Sequence, residues 1–184
     1  MPLIAVSIAW FASEIILARI KHSQSKDDHT DKGTLKLLWL TILISITIGV
    51  MAGLQTFGRF GTFVYLSYWF GISLIVSGLV LRWIAILTLK KYFTVDVAIT
   101  GEHKIQNAGI YKFIRHPSYA GSLLSFLGLG LSFANIFSVI IIVLPICIAF
   151  LYRIRIEEKA LTEAFGDDYI KYCSTTRRLI PGIY

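Results

Sequence analysis

The chain has 184 residues, 55% of them hydrophobic and only 16% charged, with a mean hydropathy of +0.69 and a formal net charge of +7. That balance excludes an ordinary water-soluble domain, in which about a quarter of residues are charged, and points to an integral membrane protein. The positive charge does not point to nucleic acid, because no basic run interleaved with exposed aromatics stands on a soluble stretch.

A crossing helix needs roughly 20 mostly apolar residues, and five segments approach this: 3–20, 35–57, 62–89, 118–134 and 136–153. The first has no basic n-region, and Glu14 interrupts it with no small-residue cleavage site after it, so it is expected to be retained. Residues 21–34 (KHSQSKDDHTDKGT) form a charged, solvated loop, and Gly58 to Gly61 a short turn. The third segment is long enough to tilt or to project into the interface. It carries Arg82, which either pairs with Glu14 across helices or lines a cavity. From Lys90 to Pro117 the chain turns polar, with an extended stretch at 92–99, a turn at 100–103 and a return over 104–111.

The fourth and fifth segments are expected to form a tight helical hairpin around Asn135. Gly121, Gly128 and Gly130, with Ala120 and Ser125, are small enough to let helices approach closely, which in lipid largely replaces the hydrophobic drive for association. Pro145 is expected to kink the fifth segment. Five crossings place the termini on opposite sides. With the amino terminus outside, Arg59 alone among the eighteen Lys and Arg residues lies in an outer loop, and Arg82 lies within a span. The positive-inside rule therefore puts the carboxyl terminus in the cytosol, where the basic excess also attracts anionic lipids. Cys147 sits mid-span and Cys173 in the tail, and neither they nor His22, His29, His103 and His116 show metal-ligand spacing. No repeat or second domain is evident. Residues 1–184 read as one domain, with 1–89 supplying amino-terminal spans and 90–184 the polar motifs.

Two charged clusters flank the hairpin, Tyr111 to Tyr119 before it and Arg153 to Glu158 after it. A hairpin returns the chain to the side it left, so the clusters are expected to meet at one membrane face. Pro117 suits the first helical position and His116 is pushed out of helical geometry. The helix start, with its free amides and positive dipole end, then faces the cluster and suits an anion. Arg153 and Glu157, four apart on a helix, share a face. Either they form a surface ion pair, or each binds part of a ligand carrying both charge signs.

The stretches GIYKFIRHPSYAG and RIRIEEKALTEAFGDDYIKYCSTTRRLIPGI resemble the isoprenylcysteine carboxyl methyltransferase family, and more broadly the membrane methyltransferases that include phospholipid N-methyltransferases. The resemblance covers roughly residues 90–184. It implies an all-α integral membrane protein with a cytosolic-face pocket built from the 90–117 loop and the carboxyl-terminal segment. It also implies transfer of a methyl group from S-adenosyl-L-methionine, with S-adenosyl-L-homocysteine as product. Carried over by position, His103, Lys104, Ile105 and Gln106 correspond to a strip lining the cofactor, although the family more often has an aliphatic pair at the last two. Tyr111, His116, Pro117, Ser118 and Tyr119 match further cofactor contacts, and Arg115 belongs to the same motif. Glu157 matches the carboxylate holding the cofactor's amino group, and Arg153 the arginine facing the substrate. The implied substrate is lipophilic, entering from the bilayer: a prenylcysteine-like carboxylate, with a phospholipid amine or a small thiol as alternatives. A sterol-reductase-like enzyme using NADPH and a non-catalytic transporter or scaffold are the competing readings. The first would need a 2′-phosphate site and a proton donor, and the chain's length and the pairing of RHPSY with RxxxEE count against it; the second predicts polar spans where the last two are strongly apolar.

Overall fold

The structure is a computed structural model that describes residues 2–20, 29–89 and 105–182. Six α-helices occupy these residues: α1 Pro2–Ile20, α2 His29–Gly53, α3 Val64–Leu89, α4 Pro117–Ser132, α5 Ile136–Phe165 and α6 Asp167–Thr175. Short 3₁₀ turns at Gly61–Phe63 and Gly109–Lys112 lead into α3 and towards α4. The extended stretch at 92–99, together with His103 and Lys104, lies outside the described residues.

Three helices are long and apolar enough to cross a membrane, over Gly33–Gly53, Gly61–Leu89 and Ile136–Phe165. Leu43, Met51, Leu66, Leu87 and Ile148 point outward from them, fully in keeping with a lipid solvent. Five crossings were expected, but α1 has 19 residues and α4 only 16. At 1.5 Å per residue α4 measures ~24 Å, short of a ~30 Å hydrocarbon layer. Its serines and glycines face neighbouring helices instead of lipid, so it is a packed inner element.

The small residues explain how it fits. Gly71 and Gly78 of α3 oppose Gly128 and Gly121 of α4 so closely that a Cβ on Gly121 would lie 2.6 Å from the Gly78 carbonyl oxygen and 2.7 Å from Arg82 N. Hydroxyls add hydrogen bonds across this seam: Ser125 donates to the Ile75 carbonyl (3.2 Å) and Ser67 to that of Leu131 (2.7 Å). Trp10, Ile75, Phe126, Ile142, Ile146 and Phe150 fill the space between α1, α3, α4 and α5.

The hairpin turns at Asn135, which is completely buried. Its side-chain oxygen accepts from the amides of Phe137 (2.9 Å) and Ser138 (3.4 Å), capping α5, while its amide nitrogen donates to the carbonyls of Gln55 (3.3 Å) and Phe57 (2.8 Å). Ala134 beside it takes φ 49°, a left-handed conformation that costs a residue with a Cβ about 1–2 kcal/mol. One side chain thus holds the hairpin turn and the loop that follows α2 together. Asn135→Ala is expected to destabilise the protein by about 1–3 kcal/mol, seen as a lowered melting temperature in detergent.

α5 departs from its expected end at residue 153. It runs unbroken through Pro145 to Phe165, 30 residues and ~45 Å. The segment RIRIEEKALTEAF is rich in helix formers and holds no breaker. The helix stops only at Gly166, where φ is 52°. The extra turns carry Arg153, Glu157 and Glu158 beyond the apolar part of the helix.

Candidate functional site

Pro117 opens α4 as its first helical residue and is buried. His116 caps the helix from a non-helical conformation (φ −121°, ψ 56°) and is 5% exposed. Three residues on, Tyr119 turns toward α5. Its hydroxyl accepts from Arg153 Nε at 3.0 Å and also interacts with Glu157. Arg153 is 2% exposed, and its Nη1 donates to Thr34 Oγ1 of α2 at 3.4 Å. The two clusters therefore meet at one end of the helix assembly.

Glu157 and its neighbour Glu158 divide the histidine between them. Glu157 Oε2 lies 3.8 Å from His116 Nδ1, and Glu158 Oε1 lies 3.3 Å from His116 Nε2. The Glu157 side chain keeps 30% of its surface exposed, while that of Glu158 keeps 12%. Glu158 also binds Arg115 Nε at 3.0 Å and Arg178 through Nε and Nη2, both at 2.8 Å.

The expected free amides before α4 are partly engaged. The tail lies alongside them in a short ladder, with Arg115 N donating to the Arg177 carbonyl (2.7 Å), His116 N to that of Arg178 (3.0 Å) and Arg177 N to that of Phe113 (3.0 Å). Arg115 itself points into this clasp. Its Nη1 donates to the carbonyls of Thr176 (2.6 Å) and Cys173 (3.1 Å). Its guanidinium thus fastens the tail.

The remaining candidates surround this centre. Ser118 Oγ accepts from Arg82 Nη1 at 2.9 Å, Ser122 Oγ does so at 2.8 Å, and Arg82 is in turn ion-paired with Glu14 at 2.6 Å. Arg82 and Glu14 thus join α1 and α3 to the first turn of α4. Tyr111 is buried and its hydroxyl donates to the Ala85 carbonyl at 3.4 Å; its own carbonyl accepts from the Tyr172 hydroxyl at 2.7 Å. Burial pushes the Tyr172 phenol above its ordinary value, so it stays a donor at neutral pH. Gln106 Nε2 donates to the Thr88 carbonyl at 3.0 Å, and Ile105 lines a cleft of about 780 Å³ with Lys112, Asp168 and Tyr172.

Sequence reasoning did not single out Glu158, Arg178, Thr34 or the tail ladder. The doubled glutamate was the available signal. Helical phase sends two consecutive residues about 100° apart, so the pair can serve two faces at once.

Chemically the centre offers a buried cation and a partly open carboxylate on either side of one phenol. A ligand bearing both an ammonium and a carboxylate would suit such a pair of charges. The class so defined is that of multi-pass membrane proteins whose polar chemistry is gathered at one end of the helix assembly.

Comparison with known proteins gives the family. The model of the isoprenylcysteine carboxyl methyltransferase (ICMT) family matches residues 71–163. Protein-S-isoprenylcysteine O-methyltransferase B of Arabidopsis thaliana is 32% identical over 176 residues, covering 95% of this chain and 88% of that protein. The protein-S-isoprenylcysteine O-methyltransferase of Schizosaccharomyces pombe is 29% identical over 171 residues, covering 85% and 72%. A solved structure of the eukaryotic intramembrane Ras methyltransferase, isoprenylcysteine carboxyl methyltransferase, superimposes with a TM-score of 0.60 at 25% identity, covering 86% of this chain. The chain spans a little over half of that structure's length, 55%. It belongs to the isoprenylcysteine carboxyl methyltransferase family, a family of S-adenosyl-L-methionine-dependent carboxyl O-methyltransferases.

Proposed function

We propose that this protein methylates the carboxylate of a prenylcysteine-like compound, as a protein-S-isoprenylcysteine O-methyltransferase. The observation that carries this reading is the Arg153–Tyr119–Glu157 grouping, in which a buried guanidinium and a partly open carboxylate flank one phenol. When bound, S-adenosyl-L-methionine supplies an electrophilic methyl group on a sulfonium. Glu157 and His116 are suited to its ammonium. The partly apolar surroundings of Tyr119, with Ile105, Gln106, Tyr111, Pro117 and Ser118, are suited to its remainder; His103 and Lys104 join them by family position alone, and Arg115 serves the clasp on the tail.

Arg153 is held by Tyr119 and Thr34 before any substrate arrives. Such preorganisation spares the cost of ordering a long side chain during reaction. A carboxylate nucleophile is already ionised at neutral pH and needs no general base. Arg153 then has only to orient it. The relatives named for S-isoprenylcysteine support that acceptor. The lipophilic part would enter sideways from the bilayer, among lipids, which the exposed apolar residues of α2, α3 and α5 face. The amino terminus would lie outside and the pocket would face the cytosol, as the placement of basic residues supports.

The test is methyl transfer by the purified chain, using labelled S-adenosyl-L-methionine and three acceptors: a prenylated thiol acid, an aminolipid and a small thiol. The expected result is base-labile label on the prenylated thiol acid, as a methyl ester gives. Label on the aminolipid or small thiol alone, or on none, would overturn the reading.

A further inference from the structure

The cleft of about 780 Å³ is not part of the Arg153–Tyr119–Glu157 centre. One wall is the segment before α4, with Ile105, Asn107 and Lys112, and the other is α6, with Asp168, Lys171 and Tyr172. Arg153, Tyr119, Glu157 and His116 are not among its lining residues. Its volume falls within the roughly 300–1,000 Å³ of small-molecule sites. Asp168, Lys171, Tyr172 and Thr175 stand at i, i+3, i+4 and i+7 of α6 and so present one face to it.

The hydroxyls of that face are already spent as donors. Tyr172 donates to the Tyr111 carbonyl (2.7 Å), and Thr175 and Thr176 donate to the Tyr172 carbonyl (3.0 and 2.7 Å). The donors left for a ligand are the ammonium groups of Lys112 and Lys171 and the amide of Asn107. Among the described residues neither lysine is ion-paired, although Asp168 shares the cleft, whereas Lys159 elsewhere on the surface meets Glu163 at 3.9 Å. Two unpaired cations on opposite walls of one cleft attract an anion between them.

Each of these lysines also has an exposed apolar neighbour in the chain. Phe113 is 63% exposed and Ile170 56%, and both lie outside the three long apolar spans. Arg177, itself exposed, extends the positive edge, its amide bonded to the Phe113 carbonyl at 3.0 Å. Cations interleaved with exposed apolar side chains beyond the spans suit the headgroup level of an anionic leaflet.

We propose that this cleft binds the phosphate of an anionic phospholipid. Lys112 and Lys171 hold the phosphate from the two walls, Asn107 donates to it, and Phe113 and Ile170 meet the apolar part of the lipid. A bilayer lipid suits the site better than a soluble anion, which would leave both apolar side chains in water. A lipid held there ties α6 to the segment that leads into α4. The site stands or falls independently of the methyl-transfer reading, because no residue of that centre lines it.

Titration of the full chain in neutral detergent with dioctanoylphosphatidylglycerol tests this, bound lipid being counted by native mass spectrometry. Dioctanoylphosphatidylcholine and inorganic phosphate are the comparison ligands. Phosphatidylglycerol should bind saturably, one per chain, and phosphatidylcholine, which has no net charge, markedly more weakly. Inorganic phosphate at equal concentration should not displace the bound lipid. Lys112→Gln and Lys171→Gln should each weaken phosphatidylglycerol binding about fivefold, and the double variant about 25-fold. Asp168→Asn should tighten it, and Lys159→Gln, outside the cleft, should bind like wild type. Equal binding of the two lipids, a double variant that binds like wild type, or an equal loss in Lys159→Gln would each overturn the proposal. Displacement by inorganic phosphate would overturn it too, by making the cleft a site for free anions. Should the double variant fail to fold, the two single variants decide.

Discussion

Glu157→Ala should bind S-adenosyl-L-homocysteine some 30- to 1,000-fold more weakly than wild type, by isothermal titration or thermal-shift titration in detergent. The magnitude follows from removing one partner of a charge pair that the ligand would cover, about 2–4 kcal/mol. Glu157 suits that role better than Glu158. It keeps 30% of its side-chain surface open and faces a ring nitrogen it does not bond, whereas the Glu158 carboxylate is already occupied by Arg115, Arg178 and His116. The fold should be little affected, because the tail is fastened through Glu158 and not through Glu157. Wild-type affinity in Glu157→Ala would remove the ammonium role from this residue.

Arg153→Ala should lose turnover by about 10²–10³, the cost of deleting one preorganised donor from a site of charge transfer, with cofactor affinity within a few fold of wild type. The discriminating measurement is the pair of constants: kcat for methyl transfer and Kd for S-adenosyl-L-homocysteine on the same preparation. Arg153→Lys should recover little, since one ammonium cannot donate to Tyr119 and Thr34 in the fork geometry of a guanidinium. The opposite pattern, intact turnover with lost cofactor binding, would exchange the roles of Arg153 and Glu157.

The sequence made the membrane character, the hairpin at Asn135 and the meeting of the two charged clusters legible for physical reasons. Hydropathy over long windows reports the solvent, and a helix pair that reverses the chain brings its flanks together whatever the details. Span length was less legible, because α4 is apolar by composition yet packs its glycines and serines against α3, and composition does not say which face meets lipid. The Gly71 and Gly78 positions on α3 are the partners of Gly128 and Gly121, a match visible only once the helices are paired. Arg82 and Glu14 were open between pairing and lining a cavity, and they pair. Glu158 escaped notice because it adjoins a residue with a better claim, and its partners come from Arg115, 43 positions before it, and Arg178, 20 after. His103 and Lys104 lie outside the described residues, and the roles of Ile105, Gln106 and the other cofactor candidates rest on the family.

The unbroken course of α5 has a mechanical consequence. One continuous helix, with Pro145 inside it, carries lipid-facing residues such as Ile148 along its middle and Arg153, Glu157 and Glu158 on its far end. A lean of α5 to suit a thicker or thinner bilayer would have to carry the start of α4 with it, because Arg153 is bonded to Tyr119 and Glu158 to His116 and Arg115. The lipid-facing stretch and the polar groups are thus coupled along one element.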